Sequence, residues 1–299
     1  MTTAAVSKES LLQRLGGLRQ IPTIPVVLAP LLRYLQQPVE QLDVQKITDL
    51  LAQDKSLAAQ CLQMANSPFF GRWKKADSLR GAVVSLGFHH VSDIAMSCSV
   101  MNMLPNEKTS LDPVVFWEHS LGCALVSRTL ARKINMSDPG RAYLAGLLHD
   151  IGIIANLWVL PKEFGTAFEM AKAEGIPLHE AERISLGFTH CDSGGLLAEN
   201  WGLPVGLTDV VTHHHSPAES EHEPGLVALV HIADLLCRMS GMNYGYVEQR
   251  QVDLFEDSGF ALLERHCSNL KEFDWARLTF ELDSYMDEVH TLVRAIYRT

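Results

Sequence analysis

The sequence Leu147-Leu-His149-Asp150-Ile-Gly152 interrupts the longest apolar stretch of the chain, which runs from Ala142 to Leu160. An ionised carboxylate that is buried without a partner costs on the order of several kcal/mol, so this His-Asp pair needs partners. Both groups would also be costly in the middle of a bilayer. The stretch is therefore predicted to be a buried helical region and not a membrane span.

The partners of this pair must come from other helices, because adjacent residues on a helix point about 100° apart. His119 lies in the sequence Phe116-Trp-Glu-His119-Ser-Leu, and Asp234 lies in Val230-His-Ile-Ala-Asp234-Leu-Leu. Imidazole and carboxylate groups that converge from several helices are typical ligands of divalent metal ions. The alternative is a hydrogen-bonded network of buried polar residues without a metal, and the residues alone leave it open.

Helical periodicity dominates the rest of the chain, whereas alternating strand patterns are scarce, which predicts an all-α fold. We predict helices near residues 10–15, 26–35, 44–54, 57–66, 91–101, 113–134, 140–158, 163–174, 178–185, 192–201, 204–213, 225–239 and 275–297. Turn-forming residues between Leu104 and Pro113 indicate a connector. The predicted division is an N-terminal helical lobe at residues 1–105, a metal-site helical lobe at 106–243, and a helical tail at 244–299 that packs on the second lobe.

The composition excludes several classes of protein. The chain has 299 residues, 47% of them hydrophobic, and a formal charge of −10 at pH 7. General binding to nucleic acid or to an anionic membrane needs a concentrated positive surface, so neither is expected. The six cysteines show no C-x-x-C spacing, which favours free thiols in a reducing compartment. Residues 1–20 contain no apolar core of signal-peptide length, so we expect a cytoplasmic protein.

Histidine is locally enriched in the second half of the chain. Seven of the thirteen histidines lie between residues 179 and 231. Metal sites need neutral imidazoles, and such an enrichment is where they would converge. The triplet His213-His214-His215, followed by Ser216-Pro217, also fits a solvated helix end where His favours the helix dipole. Both interpretations stay open.

The order of these residues resembles a known family. His119, then His149-Asp150, then Asp234 is similar to the HD phosphohydrolase superfamily, in which four such side chains bind a divalent metal. The sequence from Gly187-Phe-Thr-His190 to Pro204, followed by the histidine triplet, resembles the HDOD branch, a relative of the HD-GYP cyclic-dinucleotide phosphodiesterases. Three segments of the N-terminal half also resemble HDOD: Ile21-Pro-Thr-Ile-Pro25, Leu62-Gln-Met-Ala-Asn-Ser-Pro-Phe-Phe-Gly71 and Ala82-Val-Val-Ser-Leu-Gly87.

The resemblance covers residues from about Leu15 to Leu236 and implies an architecture and a ligand set. The architecture is a two-lobed helical HDOD fold with a C-terminal HD-like helical bundle. One or two divalent ions are implied, with iron, manganese and zinc as the candidates. The implied ligands of the first ion are His119, His149, Asp150 and Asp234. For a second ion they are His190 and one or two residues of the triplet, with His214 as first choice, and Asp150 would bridge the two ions.

This chain also departs from the HD-GYP pattern. Ile153 stands where that pattern has a Lys three residues after the Asp, and Val115 replaces a glutamate that some relatives use as an extra ligand. No Gly-Tyr-Pro element follows the histidine triplet. These differences weaken any prediction of cyclic-di-GMP hydrolysis. If the chain is a hydrolase, another acid must protonate the leaving group, and His231, one helical turn before Asp234, is the candidate catalytic residue.

Two functions from different classes follow from the resemblance. The first is a bacterial-type signal-transduction module that binds signalling protein partners and regulates them. The alternative is a metal-dependent phosphohydrolase that acts on a nucleotide or phosphodiester, in which the ion would lower the pKa of bound water. The scarcity of Arg and Lys near the motifs favours the regulatory interpretation. A helical protein with a purely structural His-Asp network is the remaining interpretation.

Overall fold

The computed structural model describes residue 13 and residues 28–35, 43–67, 75–105, 109–249 and 252–297. Within these ranges the chain forms helices and no strand, which confirms the predicted all-α fold. The segment at residues 21–25 and residues 68–71 of the Leu62–Gly71 segment lie outside the described residues, as does the helix predicted at 10–15 apart from residue 13. All six cysteines are free and buried, as the sequence predicts.

The described residues form two compact units. The larger contains those among residues 1–22 and 104–283, and the smaller contains those among residues 23–103 and 284–299. The three-part division at residues 105 and 243 stays a prediction. Each unit is therefore described by itself.

The smaller unit contains five helices within residues 28–103. They are α1 (Leu28–Leu35), α2 (Val44–Ala52), α3 (Lys55–Ala65), α4 (Leu79–Leu86) and α5 (Phe88–Met101). Side-chain oxygens of Asp43, Asp54 and Ser78 accept hydrogen bonds from the first turns of α2, α3 and α4, which explains why these helices begin there. The core that they enclose includes the buried side chains of Ile47, Leu51, Met64, Ile94 and Cys98.

The larger unit carries the motif residues. Its helices are α6 (Pro113–Lys133), α7 (Pro139–Leu148), α8 (Ile151–Val159), α9 (Pro161–Glu174), α10 (Leu178–Leu186), α11 (His190–Trp201), α12 (Val205–His213), α13 (Pro224–Met239) and α14 (Ser258–His266). Four of these begin with a proline, whose missing N–H costs nothing in the first helical turn. The last helix, α15 (Trp275–Tyr297), contributes residues up to Asp283 to the larger unit and the remainder to the smaller one.

The prediction of one continuous helix at residues 140–158 is wrong. Helix α7 ends at Leu148 and α8 begins at Ile151, so His149 and Asp150 form a turn between two helices. Asp150 has φ −100° and ψ 15°, outside the helical region. On an uninterrupted helix the two side chains would diverge by about 100°. The turn removes that constraint, and the two side chains meet.

The stretch Pro139–Val159 is long and apolar enough to cross a membrane by length and composition alone. However, 83% of its most apolar window is buried inside the protein. The surrounding helices therefore cover the apolar surface that a lipid would otherwise have to cover. This agrees with the predicted buried helical region.

Helices α8 and α11 touch through glycines. A Cβ atom on Gly152 would overlap the carbonyl oxygen of His190 and would lie 2.7 Å from the backbone nitrogen of Gly194. Only a residue without a side chain fits at this contact. The glycine that closes the Leu147–Gly152 sequence therefore allows α11 to approach the His149-Asp150 turn closely.

Candidate metal centre

The four side chains of the HD set meet inside the larger unit. The Nε2 atom of His119, on α6, lies 3.3 Å from Asp234 Oδ1, on α13, and 3.6 Å from Asp150 Oδ2. The Nε2 atom of His149 lies 3.1 Å from the same Asp150 oxygen. All four side chains have zero exposure to solvent. We call His119, His149, Asp150 and Asp234 the first subsite.

A second group of imidazoles lies on the other side of Asp150. His190 begins α11, and His214 and His215 follow the end of α12. The Nε2 atom of His190 lies 3.4 Å from that of His214 and 3.2 Å from that of His215. We call these three histidines the second subsite. His213, the remaining member of the triplet, lies outside it, with its Nε2 atom 3.8 Å from Asp209 Oδ1.

Asp150 faces both subsites. Its Oδ2 atom is near His119 and His149, whereas its Oδ1 atom lies 3.2 Å from His190 Nε2 and 3.4 Å from His214 Nε2. These contacts are close enough for charge pairing, yet Oδ1 and the Nε2 atom of His149 have no aligned hydrogen bond among the described residues. Buried polar atoms without hydrogen bonds are rare and need an explanation, and a bound cation supplies one. The arrangement fits the predicted bridging position of Asp150.

The tautomers of the histidines also fit a metal. The Nδ1 atom of His119 donates to the carbonyl oxygen of Met242 at 2.7 Å, and that of His149 donates to the carbonyl oxygen of Gly146 at 2.7 Å. The Nδ1 atom of His214 faces two backbone carbonyl oxygens of α12 at 3.2 Å each. When Nδ1 carries the proton, the Nε2 lone pair is free to bind, which is the usual arrangement of metal-ligating histidines.

Glu182 fixes the orientation of His190. Its Oε2 atom accepts hydrogen bonds from His190 Nδ1 at 2.6 Å and from the His190 backbone nitrogen at 2.8 Å. Its other oxygen accepts from Asn156 at 3.1 Å. A carboxylate that holds the far nitrogen of a ligating histidine is a common feature of metal sites. The sequence analysis missed Glu182, because nothing in its sequence neighbourhood shows which residue it faces.

Two further residues cover the carboxylates of the first subsite. Arg238 lies one turn after Asp234 on α13 and reaches both of its oxygens, each at 3.0 Å. Tyr244 donates a hydrogen bond from its hydroxyl to Asp150 Oδ2, and its ring centroid lies 4.6 Å from that of His119. The four-residue spacing of Asp234 and Arg238 on one helix could have predicted the first contact. No local pattern predicts the second.

His231 does not face the two subsites. Its Nδ1 atom donates to the carbonyl oxygen of His214 at 2.6 Å, and its Nε2 atom lies 2.9 Å from Asp257 Oδ1. Both ring nitrogens therefore have partners outside the cluster of metal-binding groups. The role of His231 as a proton donor stays a prediction, and as a donor it would have to release its hydrogen bond to Asp257.

The electrostatics of the cluster follow from these contacts. Burial raises the pKa of a carboxyl group, but the imidazoles of His149, His190 and His214 outweigh it and hold the pKa of Asp150 well below its usual range. Arg238 and His119 likewise outweigh burial and lower the pKa of Asp234. Both carboxylates are therefore charged at neutral pH and available to a cation.

Cys191 joins the second subsite. Its Sγ atom lies 3.8 Å from His214 Nε2, and the ligand atoms of His190, Cys191, His214 and His215 all lie within 4.8 Å of one another. Although burial raises the pKa of a thiol, His214 and His190 outweigh it and lower the pKa of Cys191 to about 6. Sequence reasoning singled out His190 and missed the cysteine beside it, although their adjacency at the start of a helix was a usable signal.

The donor set can hold one or two divalent ions. The buried imidazole nitrogens and carboxylate oxygens of the first subsite suit iron, manganese and zinc. Among the described residues, three groups of His, Cys and Asp side chains have ligand atoms within 4.8 Å of one another: His119 with Cys123, His149 and Asp234; His149 with Asp150 and His214; and His190 with Cys191, His214 and His215. The metal-ligand roles of the individual residues stay predictions.

Comparisons with known proteins agree with this fold. The HDOD domain model matches residues 21–217. Among solved structures, the chain is similar to an HDOD domain protein of unknown function from Geobacter sulfurreducens, with 27% identity and a TM-score of 0.83 over 97% of this chain and 99% of the other. A candidate phosphohydrolase from Shewanella amazonensis shares the fold at 22% identity and a TM-score of 0.72, over 96% of this chain and 97% of the other.

A relative from Treponema pallidum (strain Nichols), described only as an uncharacterized protein, is 25% identical over 221 residues. The match covers 73% of this chain and 42% of the relative, so the chain spans less than half the length of that protein. The family match is the stronger finding, because it extends over more than half of the chain and includes the second subsite. This chain belongs to the HDOD family.

Proposed function

We propose that this protein is a signal-transduction module in which a divalent metal ion stabilises the HD-like bundle, and that the module acts by binding protein partners. The observation that carries the proposal is the closure of the first subsite. All four of its side chains have zero exposure to solvent, and Arg238 and Tyr244 already engage its two carboxylates. A catalytic metal site keeps an open coordination position for water or substrate, whereas a structural site is closed.

The positive charges near the site support the same conclusion. A phosphohydrolase needs cations that bind the phosphoryl oxygens. Arg238 is held between Asp234 and Glu248, with 2.7 Å between its Nη1 atom and Glu248 Oε2. Arg141 pairs with Glu223 at 2.8 Å, and the guanidinium of Arg128 lies over the ring of Tyr143 at 4.8 Å. Each of these three arginines therefore already has a carboxylate or aromatic partner within the protein.

An ion in the bundle would supply positive charge that holds carboxylates and imidazoles of several helices together. The chain's own residues prepare for this role, since Glu182, Met242 and Gly146 orient the imidazoles of His190, His119 and His149. Because a metal that binds only the folded protein stabilises it, its loss would loosen the unit that partners recognise. The formal charge of −10 favours protein partners over nucleic acid or membranes, and we place the protein in the cytoplasm.

One observation favours a second candidate function, a metal-dependent phosphohydrolase acting on a nucleotide or phosphodiester. A cavity of about 160 Å³ lies against the second subsite. Its lining includes His215 and Cys191, together with Arg183, whose side chain is 43% exposed and 3.9 Å from Asp192. A small phosphate ester could reach the second subsite by this route, but not the first.

A phosphoester assay separates the two functions. The full chain is loaded with Mn²⁺, Fe²⁺ or Zn²⁺ and tested on p-nitrophenyl phosphate, bis(p-nitrophenyl) phosphate, GTP and cyclic di-GMP. We expect no hydrolysis above that of an Asp150→Ala variant. Hydrolysis that Asp150→Ala abolishes, and that Asp253→Ala at an exposed carboxylate retains, would overturn the regulatory proposal. Crosslinking of the full chain in its native cells then identifies the proteins that the module contacts.

A further inference from the structure

We propose that Cys191, as its thiolate, binds a zinc ion together with the three imidazoles of the second subsite. This inference rests on the proposed function, because it concerns the second subsite of the metal centre. It names the ion that this subsite binds and the sulfur ligand that distinguishes it from the first subsite. It concerns a residue that the family resemblance does not assign.

Three of the six distances among the four ligand atoms are close to those of a tetrahedron around zinc. With Zn–N bonds of about 2.0–2.1 Å and a Zn–S bond of about 2.3 Å, neighbouring nitrogens lie about 3.4 Å apart and the sulfur about 3.6 Å from each nitrogen. The Nε2 atom of His190 lies 3.4 Å from that of His214 and 3.2 Å from that of His215. The Sγ atom of Cys191 lies 3.8 Å from His214 Nε2. Little movement is needed to enclose an ion.

The position of Cys191 in the fold favours a thiolate. Cys191 is the second residue of α11, where the unpaired N–H groups of a helix start favour negative charge. The imidazole of His214 lies 3.8 Å from the sulfur through its Nε2 atom, and Cys191 is 7% exposed. A buried negative charge needs a cationic partner, and an ion among the imidazoles provides it.

The other cysteine beside the cluster has the opposite surroundings. The Sγ atom of Cys123 lies 3.6 Å from His119 Nε2, so by distance alone it could also be a ligand. Cys123 lies in the interior of α6 and not at a helix start, and its ligand atom lies within 4.8 Å of the Asp234 carboxylate, which disfavours a negative charge on its sulfur. Cys123 is therefore a matched control: the same residue type, equally buried, at the neighbouring subsite.

The ligand set also selects the metal. A thiolate is a soft ligand that favours zinc over manganese or magnesium, and zinc accepts both Cys sulfur and His nitrogen in its tetrahedral sites. The cavity of about 160 Å³ that Cys191 and His215 line gives the ion an entry path. The first subsite has only nitrogen and oxygen donors apart from Cys123. The two subsites are thus expected to differ in metal preference.

Cobalt is the probe that tests this coordination. Co²⁺ is titrated into the metal-free full chain and into the Cys191→Ala and Cys123→Ala variants, and the sulfur-to-cobalt charge-transfer band in the near ultraviolet is recorded. We expect the band in the wild-type chain and in Cys123→Ala, and its loss in Cys191→Ala. Zinc affinity in Cys191→Ala should fall by at least the roughly 10- to 100-fold that the loss of an outer-shell partner costs. A band that survives Cys191→Ala, or that disappears in Cys123→Ala, would overturn the assignment.

A second measurement does not depend on a variant that folds. X-ray absorption at the zinc edge of the zinc-loaded wild-type chain should show one sulfur neighbour at about 2.3 Å beside nitrogen and oxygen neighbours. A spectrum without sulfur, or a chain that takes up no zinc, would sink the inference. A missing sulfur neighbour would refute the assignment of Cys191 as a ligand but not the proposed regulatory function. Phosphoester hydrolysis would refute the proposed regulatory function but not the assignment of Cys191. The two failures are therefore distinguishable.

Discussion

Gly152 occupies a position where α8 and α11 leave no room for a side chain. A Cβ atom there would meet the backbone of His190 and Gly194, which cannot move aside as a flexible side chain can. Since His190 begins α11 and belongs to the second subsite, the same contact sets how closely that histidine approaches Asp150. One residue without a side chain thus affects both packing and the site.

Replacement of Gly152 by Ala should therefore destabilise the protein by about 1–3 kcal/mol or more and weaken metal binding, because the added methyl group pushes α11 away from the turn. Chemical denaturation followed by circular dichroism gives the first quantity, and chelator competition gives the second. Gly165→Ala on α9 is the control. Its Cβ atom would lie at an ordinary contact distance of 3.7 Å from Ser110, and the change should stabilise the helix by about 0.5–1 kcal/mol. Equal behaviour of the two variants would contradict the role of Gly152.

At the level of single residues, the sequence predicts the centre of the site better than its surroundings. Apolar stretches of the sequence are interrupted by four polar residues, His119, His149, Asp150 and Asp234. Such residues need polar partners wherever the helices are placed. Arg238 follows Asp234 at helical spacing and was within reach of the same reasoning. Tyr244 lies outside any helix, so no periodic pattern shows that its hydroxyl faces Asp150.

Among the helices, the connection between α12 and α13 depends on a carboxylate. The side chain of Asp209 accepts hydrogen bonds from Ser220 Oγ at 2.7 Å and from the backbone nitrogens of His222 at 3.1 Å and Glu223 at 2.8 Å. Glu223 is the residue before α13, so Asp209 holds the start of the helix that carries Asp234. The backbone groups of His222 and Glu223 lower the pKa of Asp209 against the effect of burial.

Asp209→Ala should lower the free energy of unfolding by about 1 kcal/mol at pH 7, because it removes the acceptor of two part-buried backbone N–H groups at the start of α13. The pKa of Asp209 is lower in the folded state, so its stabilising effect is present above the unfolded value of about 4 and is lost as the pH falls through the folded value. The stability difference between wild type and variant should thus be largest at neutral pH and shrink below pH about 4. His213, 3.8 Å away, is the titratable side chain facing Asp209. Urea unfolding at several pH values measures this.

The control for this prediction is Asp253→Ala. Asp253 is exposed, and its side chain accepts a hydrogen bond from the backbone nitrogen of Phe255 at 3.0 Å. Its removal should change stability by no more than about 0.5 kcal/mol, as is usual for surface positions. A stability difference for Asp209→Ala that grows as the pH falls would contradict the capping role.

The helices themselves follow closely from sequence, with one informative failure. Prolines and Asp residues mark helix starts by removing or satisfying the first N–H groups, so bounds such as Pro113–Lys133 and Pro224–Met239 are readable in advance. The turn at His149-Asp150 is not, because apolar residues at helical spacing continue through it. Neither residue of the turn is Gly or Pro. The partners that both side chains contact lie on other helices, so the sequence near the turn does not predict it.

At the scale of the whole molecule, every candidate metal ligand lies in the larger unit. Zinc that binds the folded state at about 100 times its Kd adds about 2.7 kcal/mol of stability by mass action. We therefore expect zinc to slow hydrogen exchange in α6, α11 and α13, and to leave exchange in α2 to α5 unchanged. Exchange mass spectrometry with and without zinc checks this. The control is the double variant Asp150→Ala, Cys191→Ala, which lacks a ligand of each subsite and should show a weaker effect than the wild-type chain. Uniform protection of both units would contradict it.

The division into units involves contacts that are distant in sequence. The turn-rich stretch Leu104 to Pro113 indicates a connector, and the larger of the two compact units includes Leu104 and the described residues that follow it up to Asp283. Residues 284–299, however, belong to the smaller unit although they follow the larger one in the chain, and the Tyr297 hydroxyl donates to the Met101 carbonyl oxygen at 2.9 Å. No local pattern in the sequence predicts a contact over such a separation, because a helix with one apolar face is compatible with many partners.

The pairing of Arg238 with Asp234 affects how the chain folds before any metal ion binds. Zinc fingers are unfolded until their metal arrives, because their ligands have no other partner. Here the guanidinium of Arg238 already balances Asp234 through two contacts of 3.0 Å. A newly synthesised chain can therefore reach its folded shape first and load its ion later. We therefore expect a sample purified without metal to be folded and still able to bind an added ion.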